Sequence, residues 1–414
     1  MTRTNRADRW TSATVFAIAV CMLALAGCSS GPAPGADDAG TVELAERWSA
    51  GARSGADSSI SADLELGENL LDDRVARSRL RERAISLLSE FAFSEVPLLR
   101  ANAIEALHPT PARVGELASA GLADPSPAVR SVAAMTIGQV RLRDRAIGAR
   151  PLLADTDERV RLSAIMALAS NGFAVDRSPL AAALEGGSPS AASHAVFILG
   201  ELGDPSAIAM LRDRLTRPLP GDRGAQRKFL LQAAEAMVKL GDTRALSTIR
   251  AALYPAQVED FEFAVLAAQM IGELGDADSA PQLIRCVEFV TPDSPQGNSP
   301  RPDWYRTDPS AQTFVYPPEL RLAASAALAK LGLTDGVYVA DQYRRQPEAP
   351  VRAQAAFTFG QMWPDDIERS RAGQRRASTR VALAALPVML EDSSAFVRLH
   401  AAAATLELLT SLDG

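Results

Sequence analysis

The sequence predicts an all-α chain, an α-α superhelix of about nine stacked helix pairs, on three observations. The segment DPSPAVRSVAAMTIG at Asp124–Gly138 returns in altered form as DTDERVRLSAIMAL from Asp155 and DSSAFVRLHAAAATL from Asp392. Self-similarity at a fixed period of about 30 residues marks a stacked array. The apolar share, 47% of 414 residues, is carried mainly by alanine and leucine, which favour helix. Within each copy the apolar positions fall four apart rather than two, the spacing of one helix face.

The chain begins with a leader, residues 1–27. Arg3, Arg6 and Arg9 precede an apolar run from Ala13 to Ala26, too short for a comfortable membrane span and ending in small residues, as export signals do. Leu25-Ala26-Gly27-Cys28 resembles the lipobox of bacterial lipoprotein signals, whereas Cys21 follows Ile18-Ala19-Val20 and lacks the small residue before the cut. The resemblance implies that Cys28 is lipidated and becomes the mature N-terminus. Ser29 in place of Asp matches the pattern for sorting to the outer membrane, facing the periplasm, if the cell has two membranes. Residues 28–40 are then the lipidated cysteine and a flexible tether, SSGPAPGADDAG, that spans about 20 Å. Residues 41–68 form a lead-in expected to be partly helical. Removing Arg3, Arg6, Arg9 and Asp8 with the leader takes the net charge from −7 to −9, which disfavours nucleic acid as a partner. Cys286 is the one thiol left over, so no internal disulfide is expected and packing alone must hold the fold.

From residue 69 to 414 the repeats align on the arginine of "VR". The nine zero positions are Arg100, Arg130, Arg161, Ala192, Leu230, Ala264, Arg321, Arg352 and Arg398. Three residues later stands alanine in every copy, from Ala103 and Ala133 to Ala401. The position before zero is apolar throughout, and the seventh after it is large and apolar in every copy but the last, where Thr405 stands. Alanine between larger neighbours on one face lets a second helix approach closely. Upstream lies a shorter apolar helix, clear in SAIAMLRDRL at Ser206–Leu215 and RALSTIRAAL at Arg244–Leu253. Both follow an LGD turn, in which glycine stops one helix and aspartate can cap the next. Each unit is therefore a helix A, a turn, a helix B and a glycine stop.

The pattern LGD…L…L…D…VR…AA…LG resembles HEAT repeats, in particular the short HEAT-like units named after phycobilisome lyases, over Asn69 to Leu409. The resemblance implies a right-handed superhelix with B helices on the concave side. It also implies an Asp–Arg ladder between adjacent turns, available at Asp124/Arg130, Asp155/Arg161 and Asp392/Arg398, with Ser94 in the matching place before Arg100. At about 10 Å per helix layer, nine units give an arc with a contour of about 80–90 Å.

Three insertions break the period: 217–228, 290–318 and 364–379. The first two fall between helices A and B, as does the turn at Tyr254, so all three emerge on one edge of a regular stack; 364–379 joins two units and emerges opposite. Trp304, Tyr305, Phe314 and Tyr316 crowd the long insertion of a chain with only 5% aromatics. Aromatic side chains on loops of a rigid scaffold anchor partners, unless they fold back and cover the ridge. Tyr254, Trp304, Tyr305, Phe314 and Tyr316, flanked by Arg223 and Arg227, are the candidate partner-binding residues. The arginines of 364–379 sit beside Asp365, Asp366 and Glu368 and read as a solvated loop.

No catalytic constellation is visible. His108, His194 and His400 lie in separate units without a second ligand at metal spacing, and His194 and His400 are expected to be exposed. Cys286, among Leu283, Ile284 and Val287, is expected in the core. No metal, cofactor or catalytic residue is therefore expected. The favoured reading is a membrane-anchored, non-catalytic scaffold that binds protein partners through its concave face and its A-to-B edge. Alternatives are a lyase-like or small-molecule-binding activity, by analogy with bilin lyases, and a purely structural envelope role. The leader carries one direct expectation. Cys28→Ser moves the protein from the membrane fraction to the soluble fraction and abolishes incorporation of labelled fatty acid; unchanged fractionation and labelling would contradict a lipid anchor at Cys28.

Overall fold

In the computed structural model, residues 66–413 are described except 187, 218–220, 257, 288–315 and 363–371. The leader, Cys28, the tether, the lead-in as far as residue 65, and Trp304, Tyr305 and Phe314 lie outside these residues. The described residues are helical, without a β-strand, and form nine successive helix pairs.

In chain order the pairs are α1 (Arg74–Phe91) with α2 (Pro97–Ala106), and α3 (Pro111–Gly121) with α4 (Pro127–Gln139). Next come α5 (Arg143–Ala146), continued by a 3-10 segment, with α6 (Glu158–Ser170), and α7 (Ser178–Gly186) with α8 (Pro189–Leu202). Then α9 (Ala207–Leu215) pairs with α10 (Arg223–Lys239), α11 (Leu246–Ala252) with α12 (Phe261–Leu274), and α13 (Ala280–Val287) with α14 (Pro318–Lys330). The last pairs are α15 (Val337–Tyr343) with α16 (Ala349–Gly360), and α17 (Ala372–Met389) with α18 (Ala395–Asp413). Two of the three insertions are shorter as loops than the period suggests. Arg223–Lys228 form the opening turns of α10, capped by Asp222, whose carboxylate accepts from the Ala225 N–H at 2.8 Å. Residues 372–379 likewise belong to α17.

The chain divides into two compact units. One holds Leu88–Ser279, in which α2, α4, α6, α8, α10 and α12 stack in succession with α3, α5, α7, α9 and α11 alongside. The other holds the described residues up to Leu87 together with those from Ala280 onward, in which α14, α16 and α18 stack, flanked by α13, α15 and α17. All nine recurrent alanines are fully buried. So are their larger companions at the seventh position, from Leu107 and Ile137 to Phe359 and Thr405.

B helices also start and stop as the sequence dictates. Proline occupies the first turn of α2, α4, α8, α14 and α16, where its missing N–H costs nothing. Asp157 caps α6 by accepting from the Arg159 and Val160 N–H groups. Gly203 ends α8 at φ 70°, a left-handed conformation that glycine adopts without strain. Asp242, at the start of the 3-10 turn before α11, makes no side-chain cap, contrary to the expected role of the LGD aspartate. Asp242 binds Arg212 of the preceding A helix, and Asp276 binds Arg250 in the same way at 2.8 Å.

Inside the second unit the two ends of the described chain are clasped. Arg77 and Arg81 both bind the Asp413 carboxylate, at 3.1 and 2.8 Å, and Arg81 also donates to the Leu409 carbonyl at 2.7 Å. Arg83 pairs with Glu391, and Arg380 with Glu68 at 2.7 Å.

Two of the sequence expectations need correction. His400 is fully buried, its Nδ1 2.8 Å from the Phe396 carbonyl, and burial lowers its pKa to about 4. His194 is half-buried, again with its pKa lowered by burial to about 4. Neither is an exposed side chain. Cys286 is buried as the sequence suggests, and burial pushes its thiol up to about 12.

The closeness of the stack sets a steric expectation. A Cβ added at Gly360 of α16 meets the Ala404 Cα of α18 at 2.9 Å. Alanine is the better helix former by about 1 kcal/mol, but forcing an atom into a filled interface costs about 1–3 kcal/mol. The steric term wins, so Gly360→Ala lowers the urea midpoint of unfolding; an unchanged or raised midpoint would show that the two helices can move apart at no cost.

Candidate functional site

The A-to-B turns of the first unit carry a row of arginine–aspartate pairs at the B-helix starts. Arg100 grips Asp124 through Nε at 2.8 Å and Nη2 at 2.7 Å, and Arg130 grips Asp155 at 2.8 and 2.9 Å. The pairing runs forward, from the arginine of one repeat to the aspartate of the next. Arg100 therefore belongs to the ladder despite Ser94, which supplies only its carbonyl, at 2.8 Å. In the second unit Arg352 holds Asp392 in the same way, at 2.8 and 2.9 Å. The hydrogen bonds from Arg130 hold the Asp155 carboxyl below the usual carboxylate range, as those from Arg352 do for Asp392. Bidentate, half-buried pairs of this kind fix geometry as well as adding energy.

The candidate binding residues divide along this edge. Tyr254 is 55% exposed in the turn before α12. Arg223 is exposed at the start of α10. Arg227 is engaged within the fold, paired with Asp260 and lying 4.4 Å from the centre of the Phe263 ring. Tyr316, in the second unit, is half-buried. An exposed apolar group escapes sequence reading. Phe93 and Val96, in the first A-to-B turn, and Leu98, at the start of α2, are 74%, 49% and 40% exposed. That turn has no insertion to draw attention, and the repeat alignment reads only the B-helix positions that follow it.

The inner row of the B helices, at offsets of two, five and nine from zero, is mostly polar in the first unit, with Val132, Met135, Met166, Phe197 and Leu266 among its apolar members. The Lys239 ammonium lies 2.8 Å from Glu201 and 3.0 Å from Glu235, and 5.4 Å from the centre of the Phe197 ring. Burial works against the lysine charge, but the two carboxylates outweigh it and hold its pKa above the ordinary range. Burial raises the Glu235 carboxyl, with Lys239 opposing. Further along, Ser131 Oγ lies 2.7 Å from Ser163 Oγ, which lies 2.8 Å from His194 Nε2. A hydroxyl–imidazole contact suits nucleophilic chemistry only if the hydroxyl can be reached; Ser163 is fully buried and donates to the Arg159 carbonyl at 2.9 Å. The chain therefore ties three B helices together. Glu105, 2% exposed, has no hydrogen-bond partner on either oxygen among the described residues, and burial raises its pKa well above the carboxylate range. Among the described residues no group of three or more His, Cys, Asp or Glu side chains could hold a metal ion.

The lysine is the keystone of the inner row. Lys239→Met leaves Glu201 and Glu235 facing each other without a cation, and loss of one member of a buried ion pair costs on the order of 3 kcal/mol. A fall of that size is expected in the unfolding free energy from urea titration. The triple change Lys239→Met, Glu201→Gln and Glu235→Gln recovers most of it, because no charge is left stranded. Equal losses in both variants would show that the charges are not coupled.

No protein-family model matches the sequence, and no curated protein matches it. Solved structures do resemble it. The complex of CpcE and CpcF of phycocyanin lyase from Nostoc sp. PCC7120 is 16% identical, covering 62% of this chain and 92% of that one, with a TM-score of 0.37. Human deoxyhypusine hydroxylase in complex with glycerol is 17% identical, covering 69% and 97%, with a TM-score of 0.31. Kap121p bound to Nup53p is 12% identical, covering 95% and 46%, with a TM-score of 0.26. Likeness at these scores carries no activity or partner across; the all-helical repeat architecture stands on the nine helix pairs themselves.

Proposed function

We propose that the protein is a non-catalytic interaction scaffold that docks a protein partner on the A-to-B edge of its repeats and is held at a membrane through Cys28. The observation that carries this reading is the exposure of Phe93 and Val96 in the first A-to-B turn, Leu98 at the start of α2 and Tyr254 in the sixth turn of one stack, whose first B-helix starts are held by the Arg–Asp ladder. Large aromatic and aliphatic groups held at fixed places on a rigid scaffold provide anchors at low entropic cost. The inner row is the weaker docking surface, because its charges already satisfy one another at Lys239 and many of its side chains are buried. The net charge of −7 supports a protein rather than a nucleic acid as the partner. Export and lipidation would place the scaffold outside the cytoplasmic membrane, in a two-membrane cell on the outer membrane facing the periplasm.

The test is site-specific photocrosslinking in the native membrane. A photoreactive residue at Phe93 or at Tyr254 is expected to capture one and the same protein, while the same group at Arg150, exposed beyond α5, captures none. Capture that is equal at all three sites, or absent at both edge sites, would sink the reading.

A further inference from the structure

We infer that Arg161 is a preorganised receptor for a carboxylate of the partner protein, an aspartate or glutamate side chain that completes the ladder from outside. This rests on the edge-docking reading above and names the chemistry of one contact.

Arg100, Arg130 and Arg352 share one geometry. In each, Nη1 is pinned by two backbone carbonyls of its own A-to-B turn: Ser94 and Glu95 at 2.8 and 3.1 Å, Asp124 and Pro125 at 2.9 and 3.1 Å, and Gln346 and Pro347, both at 2.7 Å. With Nη1 fixed, Nε and Nη2 form a fork that holds the aspartate of the following repeat at 2.7–2.9 Å. That carboxylate receives a third bond from the backbone N–H two residues on: Ser126 to Asp124 at 2.8 Å, Asp157 to Asp155 at 2.9 Å, and Ser394 to Asp392 at 2.8 Å.

Arg161 is pinned in the same way, with Nη1 2.8 Å from the Asp155 carbonyl and 3.2 Å from that of Thr156. Its fork, however, has no carboxylate among the described residues. The register explains why. DPSP at Asp124–Pro127 corresponds to GGSP at Gly186–Pro189, so glycine stands where the aspartate should be. Ser188 corresponds to Ser126, and its N–H has no acceptor among the described residues, whereas the Ser126 N–H is satisfied by Asp124. The adjacent carboxylate, Glu185, is bound to Arg217 at 2.7 Å and does not substitute. There is room for an occupant, because a Cβ added at Gly186 meets nothing within 4 Å. By repeat register, the two free guanidinium donors of Arg161 and the Ser188 N–H are the counterparts of the groups that bind a carboxylate three times elsewhere in the chain. A partner carboxylate entering here loses little entropy to the receptor, since the arginine is already held. A planar guanidinium fork also selects carboxylate over chloride by shape.

The test uses the full-length protein and sodium acetate, with sodium chloride at matched ionic strength as the control. The Arg161 Nε–H and Ser188 N–H resonances are expected to shift saturably with acetate and not with chloride. In Gly186→Asp the new side chain fills the fork in cis. Acetate then moves neither resonance, the Arg161 Nε–H signal takes up a position like that of Arg130, and the melting temperature rises. Arg161→Gln also loses the acetate response. Equal shifts with chloride, no shift at all, or an acetate response that survives in Gly186→Asp would overturn the inference. The partner arm repeats the Tyr254 photocrosslink in Gly186→Asp: reduced capture supports the carboxylate contact, and undiminished capture overturns it while leaving edge docking intact. If the parent protein captures nothing, the edge reading fails on its own, and the acetate titration still decides whether the fork binds carboxylate.

Discussion

Everything in the fold depends on how closely successive B helices approach. The recurrent alanine, never exposed in any of its nine appearances, removes side-chain bulk from the contact face. Larger residues four positions away on either side fill the space that remains. Where the contact is tightest the sequence removes the methyl group as well, as at Gly360 against Ala404 and Gly138 against Met166. A single pair of such helices would leave one apolar face in water, so each pair is stable only because another covers it.

Close stacking brings the helix ends into fixed register, and electrostatics exploits the register at both ends of the pairs. At the B-helix starts, arginine reaches forward to the next aspartate; at the A-helix ends, Arg212 and Arg250 reach forward to the aspartates of the LGD turns. Half-buried bidentate pairs lose less to solvent screening than exposed ones. Their larger effect here is geometric: they hold turn carbonyls, guanidinium groups and N–H donors in positions that recur from repeat to repeat. The exposed apolar side chains of the first and sixth turns are displayed on that frame.

The B helices were legible because a fixed alanine recurs on each, with apolar neighbours at four-residue spacing on all but the last, where Thr405 stands. The ladder was legible as composition but not as connectivity. Asp124 and Arg130 are six residues apart and look like partners, yet Arg130 takes the Asp124 carbonyl and gives its fork to Asp155. Sequence spacing does not show which of two carboxylates a long side chain reaches. The offset of two that suggested exposed histidines failed for a related reason. His194 meets the Ser163 hydroxyl of the neighbouring helix, and His400 stacks 4.1 Å from the centre of the Phe396 ring. Phe396 shares α18 with His400 and shows on a helical wheel, whereas Ser163 sits on the neighbouring α6 and does not. The Lys239 cluster draws on two helices whose zero positions, Ala192 and Leu230, are separated by the irregular 217–228 segment, which hid the alignment of Glu201 with Lys239.

The clasp between the chain ends bears on how the molecule would carry force. Between Glu68 and Arg83 the chain is fastened to Arg380, Glu391, Leu409 and Asp413. A pull on the chain ahead of Glu68 is therefore shared among several contacts spread over the final helix pair, instead of falling on one contact at a time. A fold fastened this way resists mechanical unravelling from the first of its described residues.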